Sequence, residues 1–434
     1  MTDDENSART LRVDSLARVE GEGGLRVEIV GDELRDVELR IYEPPRFFEA
    51  FLRGRKYTEP PDITARICGI CPVAYQMSAC NAIESLCGVT VDGPLADLRR
   101  LLYCGEWIES HTLHIYFLHA PDFLGYDGAI EMANNQREHI QRGLDLKRIG
   151  NQLVALIGGR PIHPVNVRLG GFYRVPIEEE LRAFLPQLER ARDLALSTVR
   201  WVASLPTPEF RHDGELVALR SPGEYPITGG RLVSTAGLDI GPSEFTGHVV
   251  EDHRAHSTAR HARLRERGAY LVGPMARFAL NFADLSPGAR SAAAAVGLGP
   301  DERNPYRSIV IRAVEVLHAC EEALAIIERY RQPEEPARPV EPRAGVGFGW
   351  TEAPRGVLWH RYALDHEGTI LDVRIVPPTA QNQPSIEGDL FQFVAAHLDL
   401  ADGELARHAE QIIRNYDPCI SCATHFLDLT VHRT

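Results

Sequence analysis

The chain has 434 residues, 44% of them hydrophobic, and a formal net charge of −14. That length can bury a sizeable core, in one large domain or in two or three. The acidic balance argues against nucleic acid as the main partner, since phosphate contact needs clustered Lys and Arg, and Lys56 and Lys147 are the only lysines.

The N-terminal stretch MTDDENSARTLRVDSL lacks a basic head followed by an apolar run, so it does not read as a secretory signal. No run approaches the roughly 18 apolar residues that a membrane span needs. Both points set a cytoplasmic expectation. In that compartment eight cysteines favour metal or redox chemistry over a disulfide framework.

In chain order, residues 11–45 alternate apolar and polar and predict strands, with Gly31-Asp32 as a turn. Residues 95–331 predict a helical core. Apolar residues recur there at three and four spacing over 95–120, 137–159, 178–205 and 308–331, with Pro186 expected to start, kink or break the third helix. Residues 332–344, QPEEPARPVEPRA, predict an extended exposed linker. Strand character returns over 345–376 with a turn at DHEGT, and a last helix is expected over about 389–415. The expected fold is α+β and mainly α. A central bundle of long helices is flanked by an N-terminal β region and a smaller β region near 345–380, all in one domain over 1–434.

Two motifs carry the chemistry: RICGICP at 66–72 and DPCISC at 417–422. Each Cys-x-x-Cys turn aims two sulfurs at one small volume, and two turns together complete a four-thiolate shell for a soft metal ion. A structural zinc site is one reading. Against it, the pairs come from opposite ends of a chain large enough to fold without a metal staple. Cys80, Cys87, Cys104 and Cys320 lie in apolar or helical settings and read as small core residues.

With these pairs in view, the chain resembles the large subunit of nickel–iron hydrogenases. RVEGEGGL at 18–25, EAFLRGR at 49–55, SHTLHIYFLHAPD at 110–122, GGRPIHPVNVRLGGF at 158–172, EAPRG at 352–356 and VPPTAQN at 376–382 match that family in order. The resemblance implies a nickel–iron centre whose iron carries carbon monoxide and cyanide. Cys68 and Cys419 would bind nickel terminally, and Cys71 and Cys422 would bridge the two metals. Dihydrogen is split or formed there heterolytically, with Cys419 as the thiolate that handles the proton and Glu20 as the next relay. Pro354, Arg355 and Thr379 match positions around the iron ligands. Asp417 has two readings, a partner for Arg355 or an ordinary turn aspartate before proline. Glu49, the carbonyl of Ile375 and His425 match a second site, usually magnesium, although the histidine also suits a transition metal.

The resemblance further implies an iron–sulfur small subunit, diaphorase-type subunits that bind flavin and NAD(P), and a maturation protease that removes 426–434. No flavin or nicotinamide site is expected on this chain, which lacks a glycine-rich strand–turn–helix fingerprint. Ser110 stands where many relatives have aspartate, Tyr75 and Glu22 where they have histidine. These departures resemble the cytoplasmic NAD(P)-linked and sulfhydrogenase branch. His111, His114 and His163 read as structural histidines, His163 near the partner subunit. A non-catalytic subunit of the same fold is the alternative function.

Overall fold

The computed structural model describes residues 8–424. Ala8–Val13, Gly23–Val30 and Glu33–Ile41 form an antiparallel meander, with the Gly31-Asp32 turn closing its second hairpin. Alternate residues of the Gly23–Val30 strand, among them Leu25, Val27 and Ile29, are buried, as the period-two pattern requires.

Four long helices build the centre: Gly93–Leu113, Arg137–Gly158, Leu185–Ala203 and Ser308–Arg329. They pack pairwise around one large apolar core. Pro186 sits in the first turn of the third, where its missing N–H costs nothing, and separates it from the short helix Glu178–Arg182. The first helix runs on into a π-helical turn at His114–His119. A second antiparallel meander, Gly345–Ala353, Gly356–Leu364 and Ile370–Val376, packs against the helix Pro72–Cys87 that follows the first cysteine pair. The fold is the expected α+β arrangement.

Two details differ from expectation. Residues 95–331 are not helical throughout. Glu215–Arg220, Arg231–Ser234, Asp239–Ile240 and Tyr270–Leu271 form a small sheet, and Val249–His253 pairs with Arg260–Leu264. These strands have at most six residues, too short for a clear alternation. The last helix is two, Pro378–Ala395 and Asp402–Asn415, because the first begins at the proline pair and ends before a turn containing Leu398 and Leu400. Residues 332–344 run as a largely exposed strip, tied down where Phe172 N–H donates to the Pro336 carbonyl at 2.9 Å and Arg338 N–H to that of Gly170 at 3.0 Å.

Candidate metal centre

Cys68 follows a 3-10 turn, Ala65–Ile67, and Cys71 caps the Pro72–Cys87 helix. That helix start is buried, and its first free N–H groups need acceptors. Glu106, from the central helix Gly93–Leu113, supplies them. Its carboxyl accepts from Val73 N–H at 2.6 Å and Ala74 N–H at 3.2 Å. Burial drives the Glu106 pKa well up, against the two backbone N–H groups that pull it down. Glu106 belongs to none of the motifs that mark the centre in the sequence. Its signal is an acid inside an apolar helical stretch.

The second pair is placed by the end of the Asp402–Asn415 helix. Arg312 Nη1 and Ser308 Oγ both donate to the Asn415 carbonyl, at 3.1 and 2.8 Å. Asp417 then takes a left-handed conformation, φ 51°, which aspartate tolerates better than most residues. Cys419 emerges extended, and its N–H donates to Thr379 Oγ1 at 2.9 Å.

The two pairs meet. The four sulfurs lie within 4.8 Å of one another and all four residues are buried. Cys68 Sγ is 3.4 Å from Cys419 Sγ, Cys71 Sγ is 3.5 Å from Cys422 Sγ, and Cys419 and Cys422 sulfurs are 2.7 Å apart. Four sulfurs this close in a dry interior can all be thiolates only with cations between them, and as a donor set they suit soft metal ions. Cys80, Cys87, Cys104 and Cys320 lie outside the cluster.

Glu20 reaches the centre from the loop between the first two strands of the N-terminal sheet. It bridges to Cys419 in parallel, with Ile420 N–H donating to its carbonyl at 3.0 Å. Its Oε2 lies 3.1 Å from Cys419 Sγ and accepts Ser421 N–H at 3.1 Å. Burial, then the nearby Cys68 charge, raise its pKa. Gly21 makes the approach feasible: at φ 88° a Cβ would stand 2.7 Å from Ile420 Cβ. The preceding residues are clamped, since Arg414 Nη1 donates to the Ala17 carbonyl at 3.0 Å and Arg18 pairs with Asp122 at 2.6 Å.

Arg355 pairs with Asp417, which also sits in the turn before Pro418, so both readings of that aspartate describe it. Its Nε donates to the Asp417 carbonyl at 2.8 Å and its Nη2 to Oδ1 at 3.1 Å. The remaining nitrogen, Nη1, is buried with no hydrogen-bond partner among the described residues. A guanidinium with one buried nitrogen to spare, near the cysteine sulfurs, fits a centre that carries acceptor ligands. Ser110 is fully buried and its hydroxyl has no hydrogen-bond partner among the described residues; Asp417 is the carboxylate paired with Arg355.

Pro354 is held by its carbonyl, which accepts from Arg277 Nη2 at 2.8 Å. Arg277 is fully buried and spends every donor: two on Glu315, one on Glu352, and one each on the Ala353 and Pro354 carbonyls, all at 2.8–2.9 Å. Its guanidinium also lies 4.4 Å from the centroid of the Trp107 ring. Glu315 keeps the charge, with its pKa strongly lowered by Arg277, and Glu352 is pushed up to about 7 by burial. One cation between two carboxylates explains the split. Sequence reasoning missed this network, because its members come from distant segments.

Glu49 and Ile375 also meet: Ile375 N–H donates to Glu49 Oε1 at 2.8 Å. In an extended strand N–H and C=O of one residue face the same edge, so the Ile375 carbonyl faces the Glu49 side. Burial raises the Glu49 pKa to about 7. His425 and the segment 426–434 lie outside the described residues. Tyr75 packs over the second pair, its hydroxyl donating to the Cys422 carbonyl at 3.4 Å. His111 Nε2 lies 2.9 Å from Glu315, His114 Nε2 contacts the Arg414 carbonyl at 2.7 Å, and His163 Nδ1 the Ala65 carbonyl at 2.7 Å. Glu22 is exposed.

Comparison with known proteins agrees with this geometry. A family profile described as nickel-dependent hydrogenase matches residues 46–142 and 309–425. Sulfhydrogenase 1 subunit alpha of Pyrococcus furiosus is 32% identical over 424 residues, covering 96% of this chain and 98% of that protein. The NAD-reducing hydrogenase HoxS subunit beta of Cupriavidus necator is 26% identical over 473 residues, covering 97% and 95%. A crystal structure of an NAD+-reducing [NiFe]-hydrogenase in the H2-reduced state superposes with a TM-score of 0.87 at 27% identity, over 97% of this chain and all of that one.

Proposed function

The chain belongs to the nickel-dependent hydrogenase family as its large subunit, and we propose that it is the hydrogen-activating subunit of a cytoplasmic, NAD(P)-linked hydrogenase. The similarity to a sulfhydrogenase alpha subunit and to an NAD-reducing hydrogenase subunit supports that branch. No helix of the described residues is long and apolar enough to cross a membrane.

The observation that carries the reading is the convergence of four buried sulfurs with a carboxyl group 3.1 Å from one of them. Cys68 and Cys419 would hold nickel, and Cys71 and Cys422 would bridge it to iron. When bound, the metal pair polarises dihydrogen for heterolytic cleavage. The chain then has to move a proton. Cys419 Sγ takes it, and Glu20 Oε2 receives it across their contact. Burial raises the Glu20 pKa above the ordinary carboxylate range, the direction that suits a proton carrier.

Around the iron, the spare Nη1 of Arg355 and the hydroxyl proton of Thr379 would donate to cyanide ligands, with Pro354 packed beside them. Asp417 fixes the Arg355 orientation. Glu49, the Ile375 carbonyl and His425 would hold magnesium or another divalent ion, a fit for oxygen donors. Electrons would leave through an iron–sulfur subunit toward flavin- and NAD(P)-binding subunits. A maturation protease would remove 426–434.

Metal analysis of the purified complex, with infrared spectroscopy, tests this. Nickel near one per chain is expected, with iron in excess of it because the iron–sulfur subunit adds its own, together with infrared bands of metal-bound cyanide and carbon monoxide. A complex with neither nickel nor iron at this chain overturns the reading.

A further inference from the structure

Away from the cysteine centre, one other group of side chains among the described residues gathers ligand atoms at metal-binding spacing: His256, His261 and Glu387. His256 lies in the turn between the strands Val249–His253 and Arg260–Leu264, His261 on the second of these strands, and Glu387 on the helix Pro378–Ala395. His256 Nε2 is 2.8 Å from Glu387 Oε1 and His261 Nε2 is 3.2 Å from Glu387 Oε2. All three ligand atoms fall within 4.8 Å of one another. The imidazole centroids are 5.4 Å apart with the rings at 86°. Two imidazoles on one tetrahedral ion, with arms of about 2.1 Å, place their centroids roughly 5 Å apart.

We propose that His256, His261 and Glu387 bind a borderline divalent transition-metal ion of the zinc type, separately from the nickel–iron centre. Two nitrogens and a carboxylate make three ligands, and water completes a tetrahedral shell. Glu387 and His256 are partly exposed, at 15% and 19%, while His261 is buried, so the ion enters from the solvent side and keeps its water there.

The ligands are held by other parts of the fold. Leu39 N–H donates to Glu387 Oε1 at 3.1 Å, and Gln383 Nε2 donates to Ser257 Oγ and to the Leu39 carbonyl, both at 3.1 Å. His256 Nδ1 faces Glu38 Oε1 at 4.0 Å, and that carboxylate favours the ring proton on Nδ1, leaving the Nε2 lone pair for the ion. Glu38 is itself balanced by Arg26 at 3.6 Å and Arg40 at 4.0 Å, so the site carries no large excess of negative charge. An ion here ties the strand pair to the N-terminal sheet and to the helix that carries Thr379.

The competing account is a metal-free pair of histidines sharing one carboxylate. Zinc equilibration of the purified hydrogenase complex, followed by dialysis and metal analysis, separates the two. The wild type is expected to retain one more zinc per chain than His256→Gln, with nickel content equal in both. Zinc affinity should fall at least tenfold to a hundredfold, the range lost even when an outer partner is removed. His256 is half-buried in a turn, so this variant keeps the fold where a His261 variant risks losing it. As a second readout, zinc-edge absorption of the wild type is expected to show two imidazole nitrogens and oxygen near 2.0 Å. Equal zinc content in wild type and variant, or a shell made of sulfur alone, overturns the proposal.

Discussion

Replacing Arg277 by methionine tests how the loop that carries Pro354 and Arg355 is held. The change removes five hydrogen bonds of 2.8–2.9 Å from a fully buried group. Two losses dominate. Breaking a buried ion pair from one side costs about 3–5 kcal/mol. The Ala353 and Pro354 carbonyls lose their donor at about 1–3 kcal/mol each. Glu352 can take up a proton, since its pKa is already about 7, and Glu315 retains Tyr225 and His111. The charge part therefore falls at the lower end, about 3 kcal/mol, and the sum is about 5–9 kcal/mol. A chain of 434 residues unfolds with an entropy near 0.9 kcal/mol/K, at about 2.1 cal/mol/K per residue, so the midpoint should fall by roughly 5–10 °C. Arg277→Lys keeps the charge but has three donors and no planar fork, and should recover about half of the shift. Calorimetry of the assembled complex measures the midpoint, and dihydrogen oxidation reports the loop. Both activity and midpoint should fall for methionine. A midpoint within 2 °C of wild type with unchanged turnover would refute the role given to Arg277.

Glu20→Gln should lower dihydrogen oxidation by about 10²–10⁴-fold, the range for loss of a positioned proton carrier, with nickel content intact; a rate within threefold of wild type rules out the relay. Glu106→Ala strands two buried N–H groups and should cost about 2–6 kcal/mol, seen as a midpoint lower by several degrees, while Glu106→Gln keeps an acceptor and stays near wild type. Glu352 has a folded pKa of about 7, above its ordinary 4.5, so the folded state binds the extra proton. Its contribution is full below about pH 4.5 and is lost as pH rises toward 7, by at most about 3 kcal/mol. Denaturant titration across that window should show a shallower decline for Glu352→Gln; an unchanged slope removes Glu352 as its source.

Much of the fold was legible because long helices repeat their apolar face over many turns. The helices of 93–113, 137–158, 185–203 and 308–329 each bury such a stripe. The strands of 215–271 are too brief to show a period, so a β region was hidden inside an expected helical span. The break before Asp402 was hidden for a similar reason: the turn at 396–401 contains neither glycine nor proline to mark it.

The sequence by itself determined the kind of chemistry, since two Cys-x-x-Cys turns are local devices whose sulfur geometry follows from four residues each. Which groups surround those sulfurs was decided by tertiary structure. Glu20 meets Cys419 across nearly the whole length of the chain, Glu106 caps the helix that follows the first pair, and Arg277 gathers carboxylates and carbonyls from two distant segments. Such partners share no spacing along the sequence. They are selected in space, because a buried charge or N–H group must find its counterpart wherever packing brings one within reach.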